Sequence, residues 1–181
     1  NDKQKQTNYP QSIFIVGMPR SGSTLIESII AMNNTVVDLG EGNILERSFK
    51  KWKESKEKID LIDLYRQKIN KFKLNITTNK CLYNYQYAGI ISSHIPNSKI
   101  IHCYRNPLDN ILSIYRAHFA KGNEYSSSLV DCAIVYLDQE KTMNEYKKRF
   151  PSKIYDLNYD LLVKNTNDEI KSLINWLGWE W

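Results

Sequence analysis

No apolar run in the sequence approaches the ~18 residues of a membrane-spanning helix, so nothing in it reads as a span. The start, Asn1 to Tyr9, is polar and lacks the apolar centre of a secretion signal. Cysteine is scarce. Cys81, Cys103 and Cys132 are odd in number and share no metal-ligand spacing. That argues against a disulfide framework or a zinc site, and for small buried apolar residues in a reducing compartment. Internal repeats and low-complexity segments are also missing. What is present fits one globular domain. The 181 residues are 41% hydrophobic and 25% charged, enough to bury a core without disulfides or metal. The net charge of +5 suits an anionic partner without saying which.

Ser12-Ile13-Phe14-Ile15-Val16 is a continuous apolar run ending at Gly17. Continuous rather than alternating apolarity predicts a strand covered on both faces, as in a parallel sheet. A helix is expected over Leu25 to Met32 and a second strand over Thr35 to Leu39. From Glu46 to Lys73 the chain is charged, with Leu61, Ile62, Tyr65, Ile69 and Phe72 at helical spacing, so one or two surface helices are expected. Ile76 to Asn79 reads as a short strand leading to Lys80, and Lys99 to Tyr104 as a longer one. Leu108, Ile111, Leu112, Tyr115 and Phe119 share one helical face behind Pro107. A long helix over Leu129 to Phe150, a strand over Lys153 to Tyr159 and a helix over Asp168 to Leu177, capped by Gly178, complete the pattern. Strands alternating with helices predict an α/β fold with a parallel central sheet flanked by helices.

Gly17-Met18-Pro19-Arg20-Ser21-Gly22-Ser23-Thr24 follows a buried strand and precedes a helix, the setting of a phosphate-binding loop. Gly17, Gly22 and Thr24 match G-x-x-x-x-G-K-[ST], but Ser23 stands where that pattern has Lys, and a cation appears at Arg20 instead. Backbone N–H groups of residues 21–24 and the helix N-terminus would attract an anion. The hydroxyls of Ser21, Ser23 and Thr24 add donors, and Arg20 can grip two oxygens. Without the Lys that reaches a triphosphate's outer phosphates, the P-loop-like turn suits one phosphate with a short attached group.

At these residues the sequence resembles the sulfotransferases that use 3′-phosphoadenosine 5′-phosphosulfate (PAPS). It is most similar to the branch holding tyrosylprotein sulfotransferases and bacterial sulfotransferases with tetratricopeptide repeats. The likeness rests on Pro19-Arg20-Ser21-Gly22-Ser23-Thr24, on Ile101 to Asp109 followed by Ser113, and on the order Gly40-Glu41, Asn79-Lys80, Tyr159-Asp160. The resemblance implies that Arg20, Ser21, Gly22, Ser23 and Thr24 hold the 5′-phosphosulfate. It places Arg105 and Ser113 on the 3′-phosphate and Tyr159 along the nucleotide. Glu41 matches the general base of the tyrosylprotein branch, with Lys80 and Arg20 beside the transferred group. The implied donor is PAPS, its product adenosine 3′,5′-bisphosphate, and the acceptor a hydroxyl of peptide tyrosine, saccharide or small molecule. No metal is expected, nor a nucleic-acid partner. The compartment expected is the bacterial cytoplasm, or the Golgi lumen were the source eukaryotic. The family usually has Asp-Lys and Arg-Asp-Pro where this chain has Asn79-Lys80 and Arg105-Asn106-Pro107; neither change removes the cation. Residues 1–181 are expected to be a single domain of a longer chain, without the segment that closes over the nucleotide.

Other chemistries compete poorly. Glu46, the rival to Glu41, reads as a solvated helix residue. His102 lies in a buried strand, and His94 and His118 have no triad partner at telling spacing. The twelve tyrosines are scattered at core positions rather than arrayed for base stacking. Two alternatives stay open: a P-loop kinase of small molecules, and a nucleotide-binding module without catalysis.

Overall fold

The computed structural model describes residues 10–56, 58–69, 76–117, 119 and 122–180. Among these residues five strands form one parallel sheet: β1 (Gln11–Gly17), β2 (Val36–Asp38), β3 (Ile76–Asn79), β4 (Ser98–Tyr104) and β5 (Ile154–Asn158). Their spatial order is β2-β3-β1-β4-β5. Among the described residues eight helices surround them: α1 (Ser23–Ile30), α2 (Ile44–Glu54), α3 (Leu61–Ile69), α4 (Ala88–His94), α5 (Pro107–Tyr115), α6 (Leu129–Arg149), α7 (Tyr159–Lys164) and α8 (Thr166–Leu177). This is the expected α/β architecture. Among the described residues no helix is long and apolar enough to cross a membrane.

Alternation along β1 divides the core. Phe14 and Val16 point to one face, where they meet Tyr65, Ile91, Ile100 and Met143. Ile13 and Ile15 point to the other and meet Ile26, Ile30, Ile101 and Leu173. All four are at most 1% exposed, and each such side chain contributes roughly 1.5–3 kcal/mol. The apolar run of β1 therefore serves two cores at once.

The element boundaries differ from expectation where side chains intervene. β5 ends at Asn158, because its side chain accepts from the N–H groups of Asp160 and Leu161 at 2.8 and 3.1 Å and caps α7. Tyr159 thus opens a helix instead of closing a strand. β2 ends at Asp38, whose carboxylate turns back onto the N–H of Gly40 at 2.6 Å. α5 stops at Tyr115, and Phe119 lies beyond it while still packing near Met18, Ile114 and Tyr136. The 3-10 turn Leu82–Tyr87, α4 and α7 had no clear sequence signal. Trp179 packs on the second core and donates to Gln11 Oε1 at 2.9 Å. Phe72, Lys73, His118 and Trp181 lie outside the described residues.

Candidate active site

Neighbouring strands β1 and β4 lead to opposite sides: β1 through α1 toward β2, and β4 through α5 and α6 toward β5. Such a divergence leaves a crevice at the carboxyl ends of the two strands. Both sequence motifs open into it.

The loop after β1 is held by close backbone contacts. A Cβ on Gly17, at φ 141°, would stand 2.2 Å from the carbonyl oxygen of Cys103 on β4. Gly22, at φ 87°, lies against the ring of Tyr159, which a Cβ there would meet at 2.2 Å. Arg20 itself has φ 68°, a conformation that costs a non-glycine residue energy and clusters at functional turns. The Ser21 hydroxyl donates to the Met18 carbonyl at 2.7 Å and is fully buried. Its single proton is therefore spent inside the loop. The N-terminus of α1 carries no acidic residue in its first turn, so its partial positive charge is uncancelled.

The loop after β4 approaches from the other side. Asn106 caps α5, accepting from the N–H groups of Leu108 and Asp109. Its own N–H donates to Asp160 at 2.7 Å. The Arg105 guanidinium lies 5.3 Å from the Tyr159 ring centroid, 3.6 Å from Asp160 and 3.9 Å from Asp109. Its Nε is buried and faces Asp160 Oδ1 at 3.6 Å, beyond hydrogen-bond distance. Arg20 Nε donates to Ser113 Oγ at 3.3 Å. Arg20, Arg105, Ser113 and Arg116, with Asp109, Leu112 and Ala117, line one cavity of about 340 Å³. The two guanidinium groups singled out in the sequence thus share one space, and Arg116 joins them. Arg116 was missed; its one signal is a cation three residues beyond Ser113 at the end of the same helix.

A second group gathers where β2 and β3 end. The Lys80 ammonium is 3.3 Å from Thr24 Oγ1, 3.1 Å from Glu27 Oε2 and 3.1 Å from Glu41 Oε1. Burial works to lower the Lys80 pKa, but the hydrogen bonds it donates to Glu41 and Glu27 outweigh that, and the pKa is raised. Glu41 is largely exposed, whereas Glu27 and Lys80 are buried. Glu27 was missed, because a glutamate on a helix reads as solvated. Asn79 accepts from Asn84 at 2.9 Å and donates to the Gly42 carbonyl at 3.3 Å, tying down the turn that carries Glu41. Glu46 instead pairs with Lys50 at 2.7 Å on the surface. Glu41, Lys80 and Pro19, with Cys81, Leu82, Tyr83, Phe119 and Asn123, line a second cavity of about 280 Å³.

His102 and His94 stand apart. His102 is fully buried, with Nδ1 2.7 Å from Asp156 and Nε2 2.7 Å from the Gln139 amide. His94 packs against Trp52. Among the described residues no cluster of His, Cys, Asp and Glu is placed to hold a metal ion.

Comparison with known proteins places this arrangement in context. The model of the family described as "Sulfotransferase family" matches residues 10–181. An uncharacterized protein of Aquifex aeolicus (strain VF5) is 29% identical over 195 residues. The match takes in 93% of this chain but spans only 26% of that protein's length. Among solved structures, a sulfotransferase domain from the curacin biosynthetic pathway superposes with TM-score 0.68 at 19% identity, over 95% of this chain and 75% of that one. The mouse sulfotransferase SULT7A1, complexed with PAP, gives TM-score 0.60 at 15% identity, over 94% and 60%. A shikimate kinase from Bacteroides thetaiotaomicron gives 0.52 at 15% identity, over 93% and 98%. At these identities the structural likenesses establish the fold alone.

Proposed function

The chain belongs to the sulfotransferase family, and from that premise we propose that it passes a sulfuryl group from PAPS to a hydroxyl acceptor. One observation carries the reading: Arg20 and Arg105, from separate loops, face a single cavity with Ser113 between them. A nucleotide with anions at both ends of its ribose asks for that pair of cations.

The residues fit the donor. The backbone N–H groups of residues 21–24, the Ser23 and Thr24 hydroxyls and Arg20 take the 5′-phosphosulfate, with Gly22 leaving room for the close approach. Arg105 and Ser113 take the 3′-phosphate, with Arg116 adding charge. Tyr159, stacked between Gly22 and Arg105, lines the nucleotide. The donor supplies the electrophilic sulfur. Glu41, exposed at the rim, takes the proton of the attacking hydroxyl. Lys80 and Arg20 stabilise the charge that develops on the leaving oxygen, each such contact worth on the order of 2–4 kcal/mol of barrier. Residues 1–181 act as one transferase domain in this reading.

The second cavity takes the acceptor. Its walls are largely apolar and aromatic: Leu82, Tyr83, Phe119 and Pro19. Among the described residues its one cation is Lys80, which already faces two carboxyl groups. An uncharged phenol such as a peptide tyrosine suits these walls better than an anionic saccharide.

The likeness to a shikimate kinase keeps a small-molecule kinase as the second reading. Titration decides between them. Adenosine 3′,5′-bisphosphate should bind more tightly than ADP and without magnesium. Tighter, magnesium-dependent binding of ATP would overturn the sulfotransferase assignment. Donor binding with no transfer to any phenol, sugar or tyrosyl peptide would leave a nucleotide-binding module.

A further inference from the structure

Glu27 sits on α1 between Ile26 and Ile30, both fully buried, and is itself only 7% exposed. A carboxylate at that depth needs donors on both oxygens or must give up its charge. Oε2 meets the Lys80 ammonium at 3.1 Å, while Oε1 is buried and, among the described residues, has no donor facing it. The acidic group beside it is Asp38, at the end of β2, whose carboxyl interacts with that of Glu27 and raises its pKa. Asp38 is exposed, and one of its oxygens already accepts the Gly40 N–H at 2.6 Å.

Two carboxyl groups in contact share a proton, and it settles where ionisation is harder. That is the buried member. Placed on Glu27 Oε1, the proton supplies the missing donor and turns an acceptor-on-acceptor contact into a bond. We propose that Glu27 is a positioning residue held as a neutral acid, donating from Oε1 to Asp38 and accepting the Lys80 N–H on Oε2. Lys80 is thereby fixed beside Thr24 without a buried anion cancelling its charge. The groups facing Glu27 are Lys80 from the end of β3 and Asp38 from the end of β2, with Glu41 beyond Lys80. Burial pushes the Glu27 pKa up to about 7; the Lys80 hydrogen bond opposes the rise and Asp38 adds to it.

The consequence for turnover rests on the proposed part of Lys80 in sulfuryl transfer. As pH rises through about 7, Glu27 ionises, Lys80 is shared with a full buried anion, and its hold on the leaving oxygen weakens. Turnover falls, and Glu27→Gln, which cannot ionise, removes that fall.

The deciding experiment is a 13C titration of the Glu27 carboxyl in the whole chain, its resonance identified by loss in Glu27→Gln. The expected midpoint is near 7, moving down in Asp38→Asn. A midpoint in the ordinary glutamate range, ~4.3, or one indifferent to Asp38→Asn, overturns the proposal. The anchoring of Lys80 is read without turnover, from exchange of its ammonium protons: slow in the native chain and in Glu27→Gln, fast in Glu27→Ala. Fast exchange in the native chain, or no difference between native chain and Glu27→Ala, refutes the anchoring. A third arm follows sulfate transfer from PAPS to a simple phenol against pH. An equal decline in the native chain and Glu27→Gln removes Glu27 from the reaction. Absence of transfer to any acceptor sinks the sulfotransferase reading instead, while the titration and exchange arms still judge Glu27.

Discussion

The side-chain amide of Asn110 donates to the Pro19 carbonyl at 2.9 Å, with Asn110 wholly buried. Through this bond α5, which carries Ser113, holds the loop that carries Arg20. The 3.3 Å contact between Arg20 and Ser113 depends on that registration.

Asn110→Ala should therefore cost about 1–3 kcal/mol of stability, because a carbonyl loses its buried donor. It should also weaken adenosine 3′,5′-bisphosphate. Asn110→Asp should be worse at neutral pH, since a carboxylate opposes the Pro19 oxygen where an amide bonded it. Urea unfolding and calorimetric titration of the two variants check both statements. Native stability in Asn110→Asp would show that the bond does not hold the loop.

The local parts of this site were legible in the sequence, and the reason is physical. An apolar run on both faces, a glycine turn and a helix start depend on neighbours along the chain, so residues 12–24 announced a phosphate loop. Arg105 before Asn106-Pro107 was legible likewise, because a strand end and a helix cap are local. The parts that needed distant partners were not. Nothing near Gly22 says that Tyr159 lies on it, 137 positions away. Nothing near Glu27 says that α1 turns it inward onto a lysine from β3. Asn110 reads as an ordinary helix residue until the loop it holds is in view.

Arg105 separates the donor from plain adenine nucleotides. Arg105→Ala should reduce affinity for adenosine 3′,5′-bisphosphate far more than for AMP, which lacks the 3′-phosphate. A loss of ~1.5–3 kcal/mol, typical of a hydrogen bond to a charged group, corresponds to roughly 10-fold to 100-fold in affinity. Arg105→Lys should recover only part of it, since an ammonium is not bidentate. Equal losses for the two ligands would detach Arg105 from the 3′-phosphate.

Glu41 stands at the rim with one oxygen 3.1 Å from Lys80. If it takes the acceptor's proton, Glu41→Gln should lower kcat by ~100-fold to 10,000-fold, the usual worth of a positioned base. Binding of adenosine 3′,5′-bisphosphate should change little, because the nucleotide cavity is lined by other residues. Pre-steady-state transfer from labelled donor separates the two effects. An undiminished rate would pass the role of base to another group.

Asp156 gives a prediction on acid stability that involves neither ligand. It lies 2.7 Å from His102 Nδ1 and 2.8 Å from the Lys147 ammonium. Burial works to raise its pKa, but the hydrogen bonds from His102 and Lys147 prevail, and the pKa is lowered. A carboxyl with a lowered folded pKa favours the folded state above its unfolded pKa. That contribution drains away as pH falls toward the folded value. The stability gap between the native chain and Asp156→Asn should therefore be full near neutrality and close as the solution is acidified through the carboxylate range. Thermal unfolding across that range tests it. A gap that is constant with pH would mean that Asp156 serves by packing alone, and that the charge on its carboxylate does nothing to hold β5 against β4 and α6.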